Sequence, residues 1–214
     1  MKKDWDRRAR ENARHYVETA KEDWTDEEFF QSGETTVEEE VDTDMTNICQ
    51  GKDPRSMLVL EIGSGPGRVT RALAKRFGEV HSVDVSGEMV KLARAALAPY
   101  PNAFVYQNNG KDLGVVPEQE FDFAFSCIVF QHIPSREIIT NYVREVGRLL
   151  RPGALFKFQV QGDVSMKPTR PDDTWLGVPF GPQQAVEMAE RCGFELRYHH
   201  GAGEQYFWLW FFKR

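Results

Sequence analysis

The feature that most constrains the fold is the stretch LVLEIGSGPGRVTRAL, which runs from Leu58 to Leu73. It opens as an apolar run with one acid, continues with three glycines in five residues, and ends in an amphipathic pattern. The apolar run is typical of a strand covered on both faces, and the spacing that follows predicts a helix. A glycine-rich turn between such elements is where many folds bind a nucleotide, so we expect a nucleotide-containing ligand there.

The rest of the chain alternates strand and helix patterns. EVHSVDV, AFVYQ, FDFAFSCIVF and RPGALFKFQV predict further strands, and SGEMVKLARAALA predicts a helix that begins after Ser86. The tail FELRYHHGAGEQYFWLWFF predicts a hairpin whose apolar second strand lies inside the sheet. We therefore predict an α/β fold: a doubly wound, mostly parallel seven-stranded sheet with helices on both faces and a C-terminal antiparallel hairpin.

Two segments lie outside this minimal fold. Apolar and aromatic residues between Asp4 and Trp24 recur at steps of three and four, which predicts one helix face, and nine acids without a base follow between Thr25 and Asp44. We expect residues 1–50 to form a helical extension that covers the active site, and residues 51–214 to form the main domain. Within that domain, residues 162–181 form a long Pro-containing stretch that we expect to be a substrate loop.

Charge and cysteine usage restrict the partners. The net charge of −6 argues against a nucleic-acid-binding face, because such a face needs a basic stripe. No stretch is long and apolar enough for a membrane span, and no apolar segment follows the N-terminal lysines, so we expect a cytoplasmic protein without a membrane partner. Cys49, Cys127 and Cys192 are far apart, which favours reduced thiols and no metal site.

The glycine spacing does not match either of two common classes of nucleotide site, the dinucleotide fold and the phosphate loop. A dinucleotide fold needs G-x-G-x-x-G, but Arg68 stands where its third glycine falls, and the G-x-x-x-x-G-K-[ST] phosphate loop is absent. What stands here is Glu61 at the strand end, the G-x-G-x-G turn, and Asp84 at the end of the next strand.

With these features the chain resembles the class I S-adenosylmethionine-dependent methyltransferases. EIGSGPG matches the family's first motif, Asp84 its second acid, NNGKDL its step after the third strand, and LLRPGALFKF its turn into the fifth strand. The resemblance is strong from about Met57 to Val160. It implies the Rossmann-like methyltransferase fold, the cofactor S-adenosyl-L-methionine and the product S-adenosyl-L-homocysteine.

The resemblance also implies individual roles. Glu61 would read the amino end of the cofactor through water, and Asp84 would accept hydrogen bonds from both ribose hydroxyls. Asn109 would face the adenine amino group, Val85 and Met89 would sandwich the adenine, and Met89 is almost as well explained as a core residue. The full set of expected cofactor-binding residues is Glu61, Gly63, Ser64, Gly65, Gly67, Asp84, Val85, Met89, Asn109, Gly110, Ser126 and Cys127.

The acceptor side is less defined. His132 follows the fourth strand at the carboxyl edge of the sheet, where it could act as a general base or shape the pocket wall. His15 and His81 are expected on the surface. Further candidates for the acceptor pocket or the lid are Gln131, Tyr16, Trp24, Phe30, Arg170 and Trp175.

The Asn- or Asp-Pro-Pro-aromatic motif of nucleic-acid amino methyltransferases is absent after the fourth strand, which favours a small-molecule acceptor. Three alternatives stay open: a methyltransferase of protein side chains, a non-catalytic cofactor-binding module and, less favoured, an NAD-dependent oxidoreductase. The sequence does not indicate an oligomeric state.

Overall fold

The computed structural model describes residues 1–166 and 172–214. The strands of this part of the chain are β1 (Leu58–Ile62), β2 (Glu79–Asp84), β3 (Ala103–Gln107), β4 (Phe121–Ser126), β5 (Leu150–Gln161), β6 (Phe194–His200) and β7 (Tyr206–Lys213). Its α-helices are α1 (Lys2–Val17), α2 (Asp26–Glu40), α3 (Met45–Cys49), α4 (Arg68–Ala74), α5 (Gly87–Ala96), α6 (Arg136–Leu149) and α7 (Pro182–Arg191). Short 3₁₀ turns occupy Asp42–Asp44, Pro54–Ser56 and Phe130–His132.

The strands form a sheet in the order β3-β2-β1-β4-β5-β7-β6. Neighbours β1 and β2, β2 and β3, and β4 and β5 pair in parallel, whereas β7 pairs antiparallel with both β5 and β6. The predicted mostly parallel sheet with a C-terminal hairpin is confirmed. Burial on both faces of β7 explains the unbroken apolar run Trp208–Phe212, because the alternating side chains Trp208, Leu209, Phe211 and Phe212 are all buried.

The chain divides into two compact units. The first contains residues 2–109 and 114–117, and therefore holds β1 to β3 together with α1 to α5. The second contains residues 110–113 and 118–214 and holds β4 to β7 with α6 and α7. Its core is aromatic: Phe156 stacks on Phe158 at 4.2 Å, and Phe130 and Phe211 pack on the pair.

The N-terminal helix is shorter than its pattern predicts. At Asn12 the backbone leaves the helical region (φ −164°, ψ 84°), and the side chain of Asn12 accepts the amide of His15, so that it caps a new turn. The helix then ends at Val17 rather than near Trp24. The acidic segment that follows begins at Thr25, which forms a capping box with Glu28.

Helix α2 packs closely on α4. Phe29 and Val37 are fully buried, and a β-carbon on Gly33 would lie 2.2 Å from the carbonyl oxygen of Arg68. Ion pairs join Glu34 and Asp42 to Arg76, so part of the acidic run is paired with the first unit rather than freely solvated. Helix α2 is therefore a core element of this unit.

The expected surface position of His81 is wrong. His81 on β2 is only 4% exposed, stacks on Phe104 and Tyr106 of β3, and contacts the carboxylate of Glu79 and the Tyr106 hydroxyl through its two ring nitrogens. The aromatic neighbours stand on the adjacent strand, which the local pattern around His81 does not reveal. In the described residues, no helix is both long enough and apolar enough to cross a membrane.

The close approach of α2 to α4 predicts that a glycine-to-alanine change lowers the free energy of unfolding, which is the opposite of what helix propensity alone predicts. An exposed glycine inside a helix normally gains about 1 kcal/mol when replaced by alanine. We expect Gly33→Ala instead to lower the free energy of unfolding by about 1–3 kcal/mol, because its methyl group collides with the Arg68 carbonyl. Urea denaturation measures this, and Gly181→Ala, whose β-carbon has its nearest neighbour 3.8 Å away, is the control. A stabilised Gly33→Ala protein would contradict the packing.

Candidate functional site

The glycine turn after β1 is held by the end of β2. The amides of Gly63 and Ser64 both donate to the carbonyl oxygen of Val83, at 2.8 and 3.0 Å. The amide of Gly65 donates to Oδ2 of Asp84 at 2.9 Å. Gly63 and Gly65 have φ values of 87° and 50°, a region that other residues rarely adopt, so the turn requires glycine at these positions.

Asp84 is the central acid of this turn. Its Oδ1 accepts the amide of Ser86 at 2.8 Å, while Oδ2 accepts Gly65. Burial raises the pKa of Asp84 to about 6, and the nearby carboxylate of Asp6 contributes to the increase. A carboxylate has about four acceptor positions, so this group has capacity for further donors such as a pair of hydroxyls.

Glu61 is the second acidic residue of the site and is 2% exposed. Its Oε2 accepts both the Thr70 hydroxyl at 2.5 Å and the Ser82 hydroxyl at 2.8 Å. Burial raises the pKa of Glu61 to about 7. Because both hydroxyls bind the same oxygen, Oε1 is the atom with which Glu61 could meet a positively charged group.

Helix α1 covers this part of the first unit. Met89 on α5 is buried in a cluster with Ala9 and Ala13 of α1, so its interpretation as a core residue fits the structure. A β-carbon on Gly65 would lie 3.2 Å from Cγ2 of Val17, which places the end of α1 directly against the turn. Sequence reasoning did not single out Val17, although it shares the helical spacing of Ala9 and Ala13.

Asp6 is a further residue that the sequence did not reveal. Its Oδ1 accepts the Ser86 hydroxyl at 2.7 Å and lies 3.4 Å from the amide of Glu88. Ser86 is also the N-cap of α5, as predicted, because its hydroxyl accepts the Met89 amide. Helix α1 is therefore fixed to the positive end of α5, immediately after Asp84.

The other expected adenine contacts are less enclosed. Val85 is half-buried and Asn109 is exposed. The neighbouring Asn108 is buried, and its amide donates to the carbonyl oxygen of Asp84. Gly110, with φ 77°, belongs to the second unit.

In the second unit, the expected residues cluster at the carboxyl end of β4. Ser126 is buried and Cys127 half-buried. Ile128, which follows them, has φ 56°, a strained conformation for a β-branched residue and a frequent mark of functional sites. The sequence gives no signal for this conformation.

Gln131, His132 and Trp175, three of the candidates for the acceptor side, lie together. Nδ1 of His132 lies 2.6 Å from the carbonyl oxygen of Trp175, and the two rings are 5.3 Å apart. A β-carbon on Gly177 would lie 2.3 Å from the carbonyl oxygen of Gln131, so the end of the predicted substrate loop packs directly on this segment. Gln131 and His132 are both buried.

The aromatic lid candidates of the N-terminal extension lie in the first unit. The Tyr16 hydroxyl donates to Glu11, the Trp24 indole to the carbonyl of Glu18, and Phe30 lies under the guanidinium of Arg71. Trp24 and Phe30 line a surface groove of about 970 Å³ together with Pro66 of the glycine turn. Arg170, predicted for the acceptor side, lies outside the described residues.

Comparison with known proteins supports this assignment of the turn. Residues 59–153, which contain the turn, Asp84 and His132, match the model of a methyltransferase domain family. This segment therefore resembles methyltransferase domains, and one of the relatives is a probable S-adenosylmethionine-dependent methyltransferase. The cofactor of such a methyltransferase domain is S-adenosylmethionine, and the turn with its two acids fits it: glycine backbone without side chains, and carboxylates with spare acceptor positions.

Individual relatives agree with the methyltransferase domain. A probable S-adenosylmethionine-dependent methyltransferase of Mycolicibacterium smegmatis is 29% identical over 168 residues, which are 74% of this chain and 60% of that protein. The N-demethylindolmycin N-methyltransferase of Streptomyces griseus is 30% identical over 98 residues, 45% of this chain and 41% of that protein. The chain thus spans about half the length of these two relatives.

The structural similarity to solved proteins extends beyond residues 59–153. A putative methyltransferase of Haloferax volcanii, solved in complex with the methyltransferase activator Trm112, superposes with a TM-score of 0.65 at 14% identity, over 98% of this chain and 96% of that one. At this identity the similarity shows the fold, which is the Rossmann-like methyltransferase fold.

The two raised pKa values predict how stability depends on pH. Because the folded-state pKa values of Glu61 and Asp84 lie above their ordinary values, these two groups bind more protons in the folded protein than in the unfolded chain between about pH 4 and pH 7. We expect the contribution of each group to the free energy of unfolding to fall by up to about 3 kcal/mol as the pH rises through this window, since one pKa unit corresponds to about 1.4 kcal/mol.

Urea denaturation at several pH values measures this dependence. Asp84→Asn removes one of the two groups, and we expect a flatter profile for this variant, whereas Glu27→Gln, at an exposed position of α2, is the control that keeps it. An unchanged profile in Asp84→Asn would contradict the electrostatic description of the turn.

Proposed function

We propose that the chain transfers a methyl group from S-adenosylmethionine to a small-molecule acceptor by in-line displacement. The observation that carries the proposal is the glycine turn held by Asp84, with the Gly65 amide 2.9 Å from its carboxylate. A turn of this kind places glycine backbone without bulky side chains next to a carboxylate.

The residues of the first unit would hold the cofactor. Asp84 would accept the ribose hydroxyls with its remaining acceptor positions, and Glu61 would bind the amino end. The bound cofactor supplies a methyl group that its sulfonium already makes electrophilic, so the protein mainly aligns the acceptor and excludes water. Gly63, Ser64 and Gly67 complete the turn, and Val85, Met89 and Asn109 would flank the adenine.

The residues that we assign to the acceptor belong to the second unit. His132 is our candidate for the general base, with Gln131 and Trp175 beside it. Because the Trp175 carbonyl oxygen can only accept, Nδ1 of His132 carries a proton and Nε2 is the ring atom that could take one from an acceptor. Ser126, Cys127 and Gly110, also in this unit, stay predicted cofactor-binding residues.

The N-terminal extension would act as a lid, and the structure narrows the part that could move. Helix α2 contributes the buried Phe29 and Val37, so its removal would expose core. Helix α1 meets the turn through Val17 and the start of α5 through Asp6. We therefore assign the lid role within residues 1–50 to α1, whose closure would shield the cofactor from water.

Charge and the named relatives support a small acceptor. The net charge of −6 disfavours nucleic acid. The Streptomyces griseus relative is named for methylating N-demethylindolmycin, a small molecule. Three free cysteines suit the reducing cytoplasm, where we place the protein.

Transfer of labelled methyl groups tests the proposal. The protein is incubated with S-adenosylmethionine labelled in its methyl group and a cell extract split by ultrafiltration into small molecules and macromolecules. We expect label to enter the small-molecule fraction, and Asp84→Ala to abolish this transfer because the variant loses the ribose acceptor.

The other outcomes identify the alternatives. Label on macromolecules alone would contradict the small-molecule acceptor and favour a protein methyltransferase. Cofactor binding without transfer to either fraction would favour a non-catalytic binding module. Stabilisation by NAD rather than by S-adenosylmethionine would favour an oxidoreductase.

A further inference from the structure

A line of hydrogen bonds joins buried side chains of the second unit. The Cys127 thiol donates to Oε1 of Gln159 at 3.8 Å, and Nε2 of Gln159 donates to Oε1 of Gln131 at 3.1 Å. Nε2 of Gln131 lies 3.4 Å from Nε2 of His132, and Nδ1 of His132 lies 2.6 Å from the Trp175 carbonyl oxygen. Gln131, His132 and Gln159 are at most 6% exposed.

The direction of these bonds follows from the end of the line. A carbonyl oxygen has no proton to give, so Nδ1 of His132 must be the donor toward Trp175. The Gln131 amide nitrogen is also only a donor, so it requires a lone pair on Nε2 of the ring. The Gln131 amide cannot turn over freely, because its oxygen already accepts from Gln159 and buried polar groups need their partners.

We infer that Gln131 and Gln159 are positioning residues, which keep His132 neutral with its proton on Nδ1 and its lone pair on Nε2. This inference rests on the proposed function and deepens it, because it makes Nε2 the atom that takes the proton of the acceptor. The acceptor class is then one that carries a hydroxyl or an N–H on the atom to be methylated.

The proton and electron balance is complete with the groups named. The acceptor oxygen or nitrogen forms the bond to the methyl carbon, and the methyl–sulfur bond breaks with its electron pair left on sulfur. The acceptor's proton passes to Nε2 of His132. The resulting imidazolium still donates from Nδ1 to Trp175, and the hydrogen bond from Gln131 to Nε2 is lost, because two donors cannot bond to each other.

The protonation state of His132 is directly measurable without a substrate. In protein labelled with ¹⁵N-histidine, long-range ¹H–¹⁵N spectra separate protonated from unprotonated ring nitrogens, and the spectrum of His132→Asn identifies the signals of His132. At neutral pH we expect a protonated Nδ1 and an unprotonated Nε2. A ring with its only proton on Nε2 would overturn the inference.

Two variants test whether the glutamines cause this state. Gln131→Glu offers a carboxylate oxygen to Nε2, so we expect its signal to shift to the protonated position and the ring to become an imidazolium. Gln159→Met releases the Gln131 amide, so we expect part of the Nε2 signal to shift in the same direction. If either variant fails to fold, the other decides.

Gln161→Met is the matched control. Gln161 is equally buried on the same face of β5, but its side chain accepts the amide of Asp163 and lies outside the line. We expect this variant to leave the His132 signals unchanged. Wild-type signals in both Gln131→Glu and Gln159→Met would overturn the positioning role.

A failure of the proposed function can be distinguished from a failure of this inference. Calorimetric titration with S-adenosylhomocysteine reports on the first unit, whatever the state of His132. A chain that shows the expected histidine state but binds no cofactor would refute the methyltransferase proposal and leave the hydrogen-bond assignment intact.

Discussion

The hydrogen bond between the Gly65 amide and the Asp84 carboxylate is the interaction on which the candidate site depends. With the two amides that donate to Val83, it holds the turn after β1 against the end of β2. The turn in turn sets where α4 begins, and Asp84 also binds the amide of Ser86, where α5 begins. One carboxylate thus organises two strand ends and two helix starts.

Arg68 shows how this arrangement differs from a dinucleotide site. A third glycine at this position would let a helix pack closely on its strand. Here the residue at this position is Arg68, which is buried. The glycine that allows a close helix contact is Gly33 of α2, which packs against the backbone of Arg68. The Arg68 guanidinium binds Ser32 and Thr36 of α2, while its Nε is buried without a hydrogen-bond partner among the described residues. Helix α2 therefore supports the start of α4, directly after the turn.

The sequence predicted the sheet, the order of its elements and the acids at the strand ends, because these follow from local periodicity and from motif spacing. It could not predict the contact of Val17 with Gly65 or that of Asp6 with Ser86, because each joins residues far apart in the chain.

Other features could not be predicted from the sequence for the same reason, because they depend on neighbours in the folded structure. His81 is buried because aromatic side chains of the adjacent strand stack on it. The line from Cys127 to Trp175 depends on β5 placing Gln159 beside Gln131, which is a matter of register and not of sequence pattern. The positive φ of Ile128 is imposed by its surroundings, because isoleucine itself disfavours it.

A crystal structure of the chain with S-adenosylhomocysteine tests the cofactor site most directly. We expect the ligand to lie on the glycine turn, with its ribose hydroxyls within hydrogen-bonding distance of the Asp84 carboxylate and with α1 over it. A ligand bound away from Asp84, or a turn that keeps the ligand out at saturating concentration, would show that this turn and its acid do not form the cofactor site.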